Sequence, residues 1–314
     1  MTDEFDPEVL ATEELRRLFP ERPELPNQSP LKPVQLTGSD TIRFHCHPGV
    51  SCFNVCCKSI NIQLTPYDII RLKRRLGLDA ADFVARYTVP FEMDQHGMPG
   101  LRLAVKPGTS ECAFLGEEGC TVYEDRPTAC RYYPLGNMGV RKVGESEVEE
   151  LYFLVQERHC KGHDEPRTIS IDDYRAEQEV QPYEEMNADW REIVLKKRSA
   201  GPTIGAPSAR SLQLFDMCSY DMENFRRFTQ SPGFNEMFDL DAETRARLDS
   251  DDDEYLLDFA MDFLRQVLFG EQRIPKREGA DQMRYSQRRE VIERKREEAR
   301  RAHRLEDPRD LAED

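Results

Sequence analysis

The spacing of apolar positions divides the chain into stretches of different character. Residues 6–18 set Leu10, Leu15 and Leu18 among Glu and Arg, the pattern of a short helix. Five prolines follow (Pro20, Pro23, Pro26, Pro30 and Pro33), which cannot continue a helix and predict an extended linker. Regular structure is therefore expected from near Thr41. Ile60, Ile62 and Leu64 alternate with Asn61 and Gln63, as a short strand does. Thr65-Pro66 then opens a helix. Thr suits the N-cap, Pro suits the first helical position, and Asp68 places a negative charge where the first-turn N–H groups point. Ile69, Leu72 and Leu76 form the apolar stripe of that helix and Gly77 ends it. The run Lys73-Arg74-Arg75 falls on its polar side and is expected to be solvated. A second helix is predicted over Ala80 to Tyr87, and strands over Leu101 to Val105 and Leu151 to Val155. Gly116-Glu117-Glu118-Gly119 predicts a tight turn.

After about Ser170 helical spacing takes over. Leu212, Phe215, Cys218, Met222 and Phe225 recur every three or four residues, as do Leu256, Ala260, Phe263, Leu264 and Val267, and each set predicts a buried helical face. Asp251-Asp252-Asp253 between them reads as a solvated loop or a helix start. Residues 284–304 hold nine Lys/Arg and four Glu with few apolar positions, a charged helix or a disordered tail. No internal repeat of fixed period is found. The fold class expected is α+β: a small, loop-rich cysteine domain with short strands, followed by a mainly helical C-terminal half. The boundaries expected are 1–40 for the N-terminal helix and linker, 41–190 for the cysteine-cluster domain, 191–275 for the helical region and 276–314 for the charged tail.

Composition removes several classes of function. The 314 residues carry 44 Lys/Arg and 60 Asp/Glu, a formal charge of −16. Such a surface repels phosphate backbones, which argues against nucleic-acid binding. No apolar stretch approaches the roughly 18 residues that a membrane span needs. The acidic opening Met1-Thr2-Asp3-Glu4-Phe5-Asp6 is unlike a secretory signal, so the expected location is the cytoplasm, where disulfides rarely persist. The chain has no G-x-S-x-G elbow, P-loop, H-E-x-x-H or G-x-G-x-x-G, and no catalytic residue is nominated.

The cysteines bring the chemistry into view. Eight of the nine lie between Cys46 and Cys160: Cys46, Cys52, Cys56, Cys57, Cys112, Cys120, Cys130 and Cys160. The ninth, Cys218, lies on an apolar helical stripe and reads as a small buried hydrophobe. Clustered thiols in a reducing compartment point to metal ligands or redox groups. Thiolate is a soft ligand, which suits zinc, iron–sulfur and copper(I). By chain order the eight split into Cys46, Cys52, Cys56, Cys57 and Cys112, Cys120, Cys130, Cys160, although ligands can mix in space. Neighbouring side chains diverge, so Cys56-Cys57 suits two metal centres, or one ligand and one packed thiol. The spacing shows neither tandem C-x2-C knuckles nor a bacterial ferredoxin run, so it selects no single metal. His45, His47 and His159 flank the candidates and could substitute as ligands, the ordinary reading of each being an exposed or packed ring. Arg126 and Arg131 have two readings. They could lower a thiolate pKa or bind an anion near the metal. Alternatively, Pro127 starts a helical turn that presents Cys130 while the arginines pair with acidic neighbours such as Glu124 or Asp125, and this structural reading is preferred.

The same blocks carry a family resemblance. They are Cys52-Phe53-Asn54-Val55-Cys56-Cys57, Ile62-Gln63-Leu64-Thr65-Pro66-Tyr67-Asp68-Ile69, Cys112-Ala113-Phe114-Leu115, Gly119-Cys120-Thr121-Val122-Tyr123-Glu124-Asp125-Arg126-Pro127, Cys130-Arg131-Tyr132-Tyr133-Pro134 and Cys160-Lys161-Gly162. In order and type they resemble the YkgJ family of cysteine-cluster proteins, described as zinc- or iron-chelating domains with a CxxCxxCC-type motif. The resemblance covers about residues 41–190. It departs from the family pattern at the start, where Cys46, Cys52 and Cys56 are more widely spaced. It implies a protein that holds zinc or iron, an iron–sulfur cluster included, through the eight cysteines. A domain of this kind also resembles part of the flagellin lysine-methylases, which implies a protein-modifying enzyme or accessory subunit as an alternative. Two more alternatives are a zinc-stapled scaffold whose helical half binds a protein partner, and redox sensing by thiols without metal.

Overall fold

The computed structural model describes residues 36–58, 60–141, 148–199 and 208–286, with a few positions between 289 and 297. The expected N-terminal helix, most of the proline linker and much of the charged tail lie outside the described residues. The strands are β1 (Thr41–Arg43), β2 (Gln63–Leu64), β3 (Thr88–Glu92), β4 (Pro99–Leu103), β5 (Leu135–Arg141), β6 (Val148–Leu154) and β7 (Thr168–Ser170). The helices are α1 (Pro66–Leu76), α2 (Ala80–Tyr87), α3 (Thr128–Tyr132), α4 (Ile171–Glu177), α5 (Gln181–Ser199), α6 (Ala209–Tyr220), α7 (Met222–Thr229), α8 (Pro232–Met237), α9 (Ala242–Leu248) and α10 (Asp253–Phe269). Short strands in small sheets with a helical C-terminal half make the fold α+β.

The chain folds as two compact units, one of residues up to 53 with 133–172, the other of 54–132 with 173 onward. In the first, β1 pairs antiparallel with β7, Ile42 opposite Ile169, and β5 pairs antiparallel with β6. Ile42 and Phe44 point inward while Thr41 and Arg43 are exposed, the period of two that a one-sided strand requires.

The second unit is built on the antiparallel sheet β2-β4-β3. Helix α1 leaves β2 through a capping box: the Thr65 hydroxyl accepts from Asp68 N, and the Asp68 carboxylate accepts from Thr65 N at 2.9 Å. Gly77 ends α1 at φ 64°, a conformation that glycine adopts without strain. Leu101 and Leu103 of β4, Ile69, Ile70 and Leu72 of α1, and Phe83 of α2 share one core with Trp190, Phe215, Phe225, Leu256 and Phe263 of the later helices.

Three expectations are corrected. The stripe from Leu212 to Phe225 is two helices, not one: α6 stops at Tyr220, and Asp221 caps α7 by accepting from Asn224 N at 2.9 Å. The spacing of apolar residues survives the break and so conceals it. Lys73 is buried rather than solvated, with Nζ 2.5 Å from Glu223 and 2.7 Å from Asp253. The aspartate run is the helix start that its sequence allows, Asp252 capping α10, and Asp253 is buried and also 2.8 Å from Arg226. The strands predicted from Leu101 and Leu151 lie two or three residues earlier, at Pro99 and Val148.

Burial raises the Asp253 pKa, but hydrogen bonds from Lys73 and Arg226 outweigh it and hold the carboxyl below the usual range. Its contribution to stability is present above the ordinary Asp pKa of about 3.9 and is lost as pH falls through the lowered native value. Asp253→Asn is expected to cost about 2 kcal/mol at pH 7, the scale of a hydrogen bond to a charged group, and to flatten the loss of stability below about pH 4. Urea denaturation across pH checks both effects.

Candidate metal centre

Five of the eight clustered cysteines belong to the second unit. Cys56 and Cys57 sit on a 3-10 turn (Val55–Cys57), which the chain enters through Asn54 at φ 66°. Asn tolerates that left-handed conformation better than most side chains. The Cys57 carbonyl accepts from Cys112 N at 2.8 Å and fastens the next cysteine to this turn. Cys112 and Cys120 flank the predicted tight turn, where Gly116 N donates to Gly119 O at 2.7 Å and Leu115 bridges Cys120. Each sulfur accepts a main-chain N–H from two residues on, Cys112 from Phe114 at 3.4 Å and Cys120 from Val122. Cys130 lies on α3, the short turn that follows Pro127.

Two side chains that sequence reasoning placed elsewhere hold Cys130 in position. Asp68 is fully buried, and besides capping α1 it accepts from Thr128 N at 2.8 Å and Thr128 Oγ1 at 2.7 Å. Arg131 is also buried and donates to the carbonyls of Glu124, Arg126 (3.1 Å) and Gln178 (2.8 Å) and to the Tyr183 hydroxyl (3.0 Å). Arg126 donates to Tyr123 O and to the Gln178 side chain. The preferred structural reading of both arginines therefore describes their contacts, except that their principal partners are carbonyl oxygens rather than the Glu124 and Asp125 carboxylates. Asp125 pairs instead with Arg71 at 2.6 Å. Arg126 also acts on the thiols, its charge lowering the pKa of Cys120.

The other three, Cys46, Cys52 and Cys160, belong to the first unit. Cys52 Sγ accepts from Lys161 N at 3.0 Å, which fastens the loop after β1 to the segment that carries Cys160. His45 N donates to Gly162 O at 3.0 Å, and a Cβ at Gly162 would meet the Phe44 ring at 2.7 Å, so this approach requires glycine. Burial raises the pKa of Tyr133, and the neighbouring Cys160 thiol raises it further. His159 lies 3.4 Å from Glu157. Among the described residues, His45, His47 and Glu165 bring one ligand atom each within 4.8 Å of one another. Glu165 was not foreseen, because it belongs to no motif block. None of the nine cysteines forms a disulfide, and Cys218 is fully buried.

Residues 45–161 match the family model CxxCxxCC, described as a "putative zinc- or iron-chelating domain". The match covers little more than a third of the chain, and over that segment the chain is similar to this family. The YkgJ resemblance is consistent with that family. No curated protein and no solved structure shows significant similarity to the chain. No helix among the described residues is long and apolar enough to cross a membrane.

The cysteines of this segment are soft donors, the chemistry that suits zinc or iron. Cys57 is raised by its hydrogen bond with Cys56, by burial, and by the charges of Cys56, Cys112 and Cys130. Cys130 is raised by burial and then by Cys112, Asp68, Cys120 and Cys56. Cys112 and Cys120 are raised chiefly by burial, against the N–H groups directed at their sulfurs. Among the described residues no three of these sulfurs lie within 4.8 Å of one another, so the structure groups the five cysteines in one unit without closing a ligand set. A bound metal would supply the missing positive charge and deprotonate its ligands.

Asp68→Ala removes an acceptor that holds the α1 cap and the Thr128 amide together. We expect a loss of about 3 kcal/mol, the scale of a few hydrogen bonds to a charged group. We also expect faster alkylation of Cys130 in the chelator-treated native protein. Urea denaturation and mass-spectrometric thiol mapping measure the two.

Proposed function

We propose that the protein binds zinc or iron through its eight clustered cysteines, with an iron–sulfur cluster as one form of the iron. Cys56, Cys57, Cys112, Cys120 and Cys130 would serve the second unit, and Cys46, Cys52 and Cys160 the first. The observation that supports this reading best is the match of residues 45–161, which hold all eight clustered cysteines, to a zinc- or iron-chelating family, together with main-chain N–H groups directed at Cys112 and Cys120. Those N–H groups stabilise thiolate charge, and so does a soft cation.

Five thiols exceed the four that a tetrahedral zinc ion or a single [4Fe–4S] cluster takes. One member of the Cys56-Cys57 pair is the candidate to remain a thiol, because neighbouring side chains diverge and Cys56 raises the pKa of Cys57. A cytoplasmic location, where thiols stay reduced, suits this reading.

The test is metal and acid-labile sulfide analysis, with a visible spectrum, on full-length protein purified without oxygen. Wild type is expected to carry zinc or iron, and the double variant Cys112→Ser/Cys130→Ser to lose the metal held by the second unit. Cys218→Ser, changed only at the packed thiol, is expected to keep the wild-type content. Brown protein with sulfide means a cluster; colourless protein with zinc means mononuclear sites. Metal content unchanged in the double variant would overturn the assignment.

A further inference from the structure

The first unit carries a second constellation of metal-binding groups that contains no sulfur. Residues 43–45 run on from β1 against residues 162–167. Arg43 Nε donates to Glu165 O and a terminal guanidinium nitrogen donates to Asp164 O, both at 2.6 Å. Phe44 N donates to Arg167 O at 3.1 Å, and His45 N to Gly162 O at 3.0 Å. The main chain on either side of Glu165 is thus fixed against the strand that leads into His45. Residues 45 and 47 are two apart, so a chain leaving a strand presents both to one side and Cys46 to the other. Their rings lie with centroids 4.5 Å apart, and His47 Nε2 is 3.4 Å from Glu165 Oε2. One ligand atom from each of the three residues falls within 4.8 Å of the others, and the side chains of His47 and Glu165 are about one-third exposed. The trio is therefore converged, held by main-chain contacts and open to an incoming ion.

We propose that His45, His47 and Glu165 form a non-thiolate site for a divalent transition-metal ion. Two imidazoles and one carboxylate form a borderline donor set, suited to ferrous iron, cobalt, manganese or zinc, and three protein ligands leave positions for water or a small anion. As the rings stand, Gly49 N donates to His47 Nδ1 at 3.1 Å, so Nε2 carries the ring proton and turns it toward Glu165. Loading moves that proton to Nδ1 and puts the ion in its place, which opens the contact with the exposed Gly49. The site uses none of the eight cysteines and does not depend on how they are loaded.

The test adds cobalt(II) to full-length protein whose native metal has been left in place and measured. After desalting, wild type is expected to retain one further cobalt per chain with weak visible bands and no sulfur-to-cobalt charge-transfer band. Glu165→Gln, which keeps the size of the side chain, and His45→Ala are each expected to lose at least tenfold in cobalt affinity with the native metal unchanged. Glu165→Asp is expected to recover part of that loss, and Cys218→Ser, changed only at the packed thiol, to retain cobalt as wild type does. Three results would overturn the site: no added cobalt retained, undiminished binding in Glu165→Gln, or a charge-transfer band that Cys46→Ser removes. The native metal content of the same samples reports separately on the cysteine centre.

Discussion

Asp68 joins two parts of the second unit that lie 60 residues apart. Its carboxylate closes the first turn of α1 at Thr65 and, on its other oxygen, accepts both donors of Thr128. One of those donors is a main-chain N–H at the start of α3, a group that a short helix cannot satisfy internally. Burying a carboxylate is costly unless donors surround it. Here burial still raises the Asp68 pKa although the contacts with Thr65 and Thr128 lower it. Arg131 completes the arrangement from the other side by gathering three carbonyls and the Tyr183 hydroxyl. The placement of Cys130 follows from these two buried charges, each supported by hydrogen bonds.

Against that fixed point, the remaining thiols of the unit pose an electrostatic problem. Thiols partly out of water ionise less readily without compensation. The chain offers some: an N–H from two residues on at Cys112 and Cys120, and the charges of Lys106 and Arg126. The thiol pKa values are raised nonetheless, chiefly by burial at Cys112, Cys120 and Cys130, and a soft cation bound there would lower them again. Cys218, alone and fully buried in the helical core, has no such compensation.

What was legible in the sequence was local. Thr65, Pro66 and Gly77 mark both ends of α1 because capping and left-handed glycine are decided within a few residues. The same holds for α2 after its Asp79 cap and for the turn between Cys112 and Cys120. What was not legible depends on partners remote in sequence. Lys73 lies on the polar side of its own helix, and only Glu223 and Asp253 make it an interior residue. Asp68 announces itself as a cap but not as the acceptor for Thr128. Chain order groups Cys56 and Cys57 with Cys46 and Cys52, whereas the two units part between Phe53 and Asn54 and place Cys56 and Cys57 with Cys112, Cys120 and Cys130. Glu165 joins His45 and His47 through the antiparallel return of the chain, a relation that no spacing rule encodes.

The relation between metal and fold follows from where the core lies. In the smallest zinc modules the ion takes the place of a hydrophobic core, and the chain unfolds without it. Here Leu64, Leu101, Phe114 and Val122, which neighbour the cysteine-bearing turns, share a continuous core with α1, α5, α6, α7 and α10, and rings such as Phe225, Phe228, Phe234 and Phe263 pack among themselves. Cys57 and Cys120 pack against its edge. Burying side chains of this size contributes roughly 1.5–3 kcal/mol each before entropy is counted, a contribution that requires no ion. The helical part of the second unit therefore has its own source of stability. A metal held by the cysteines would act chiefly on the 3-10 turn, the turn between Cys112 and Cys120, and α3, the segments that carry them. Metal binding and global folding would in this way be only partly coupled. An ion bound by the cysteines would order the site, while the helical core supplies the rigid edge on which the site stands.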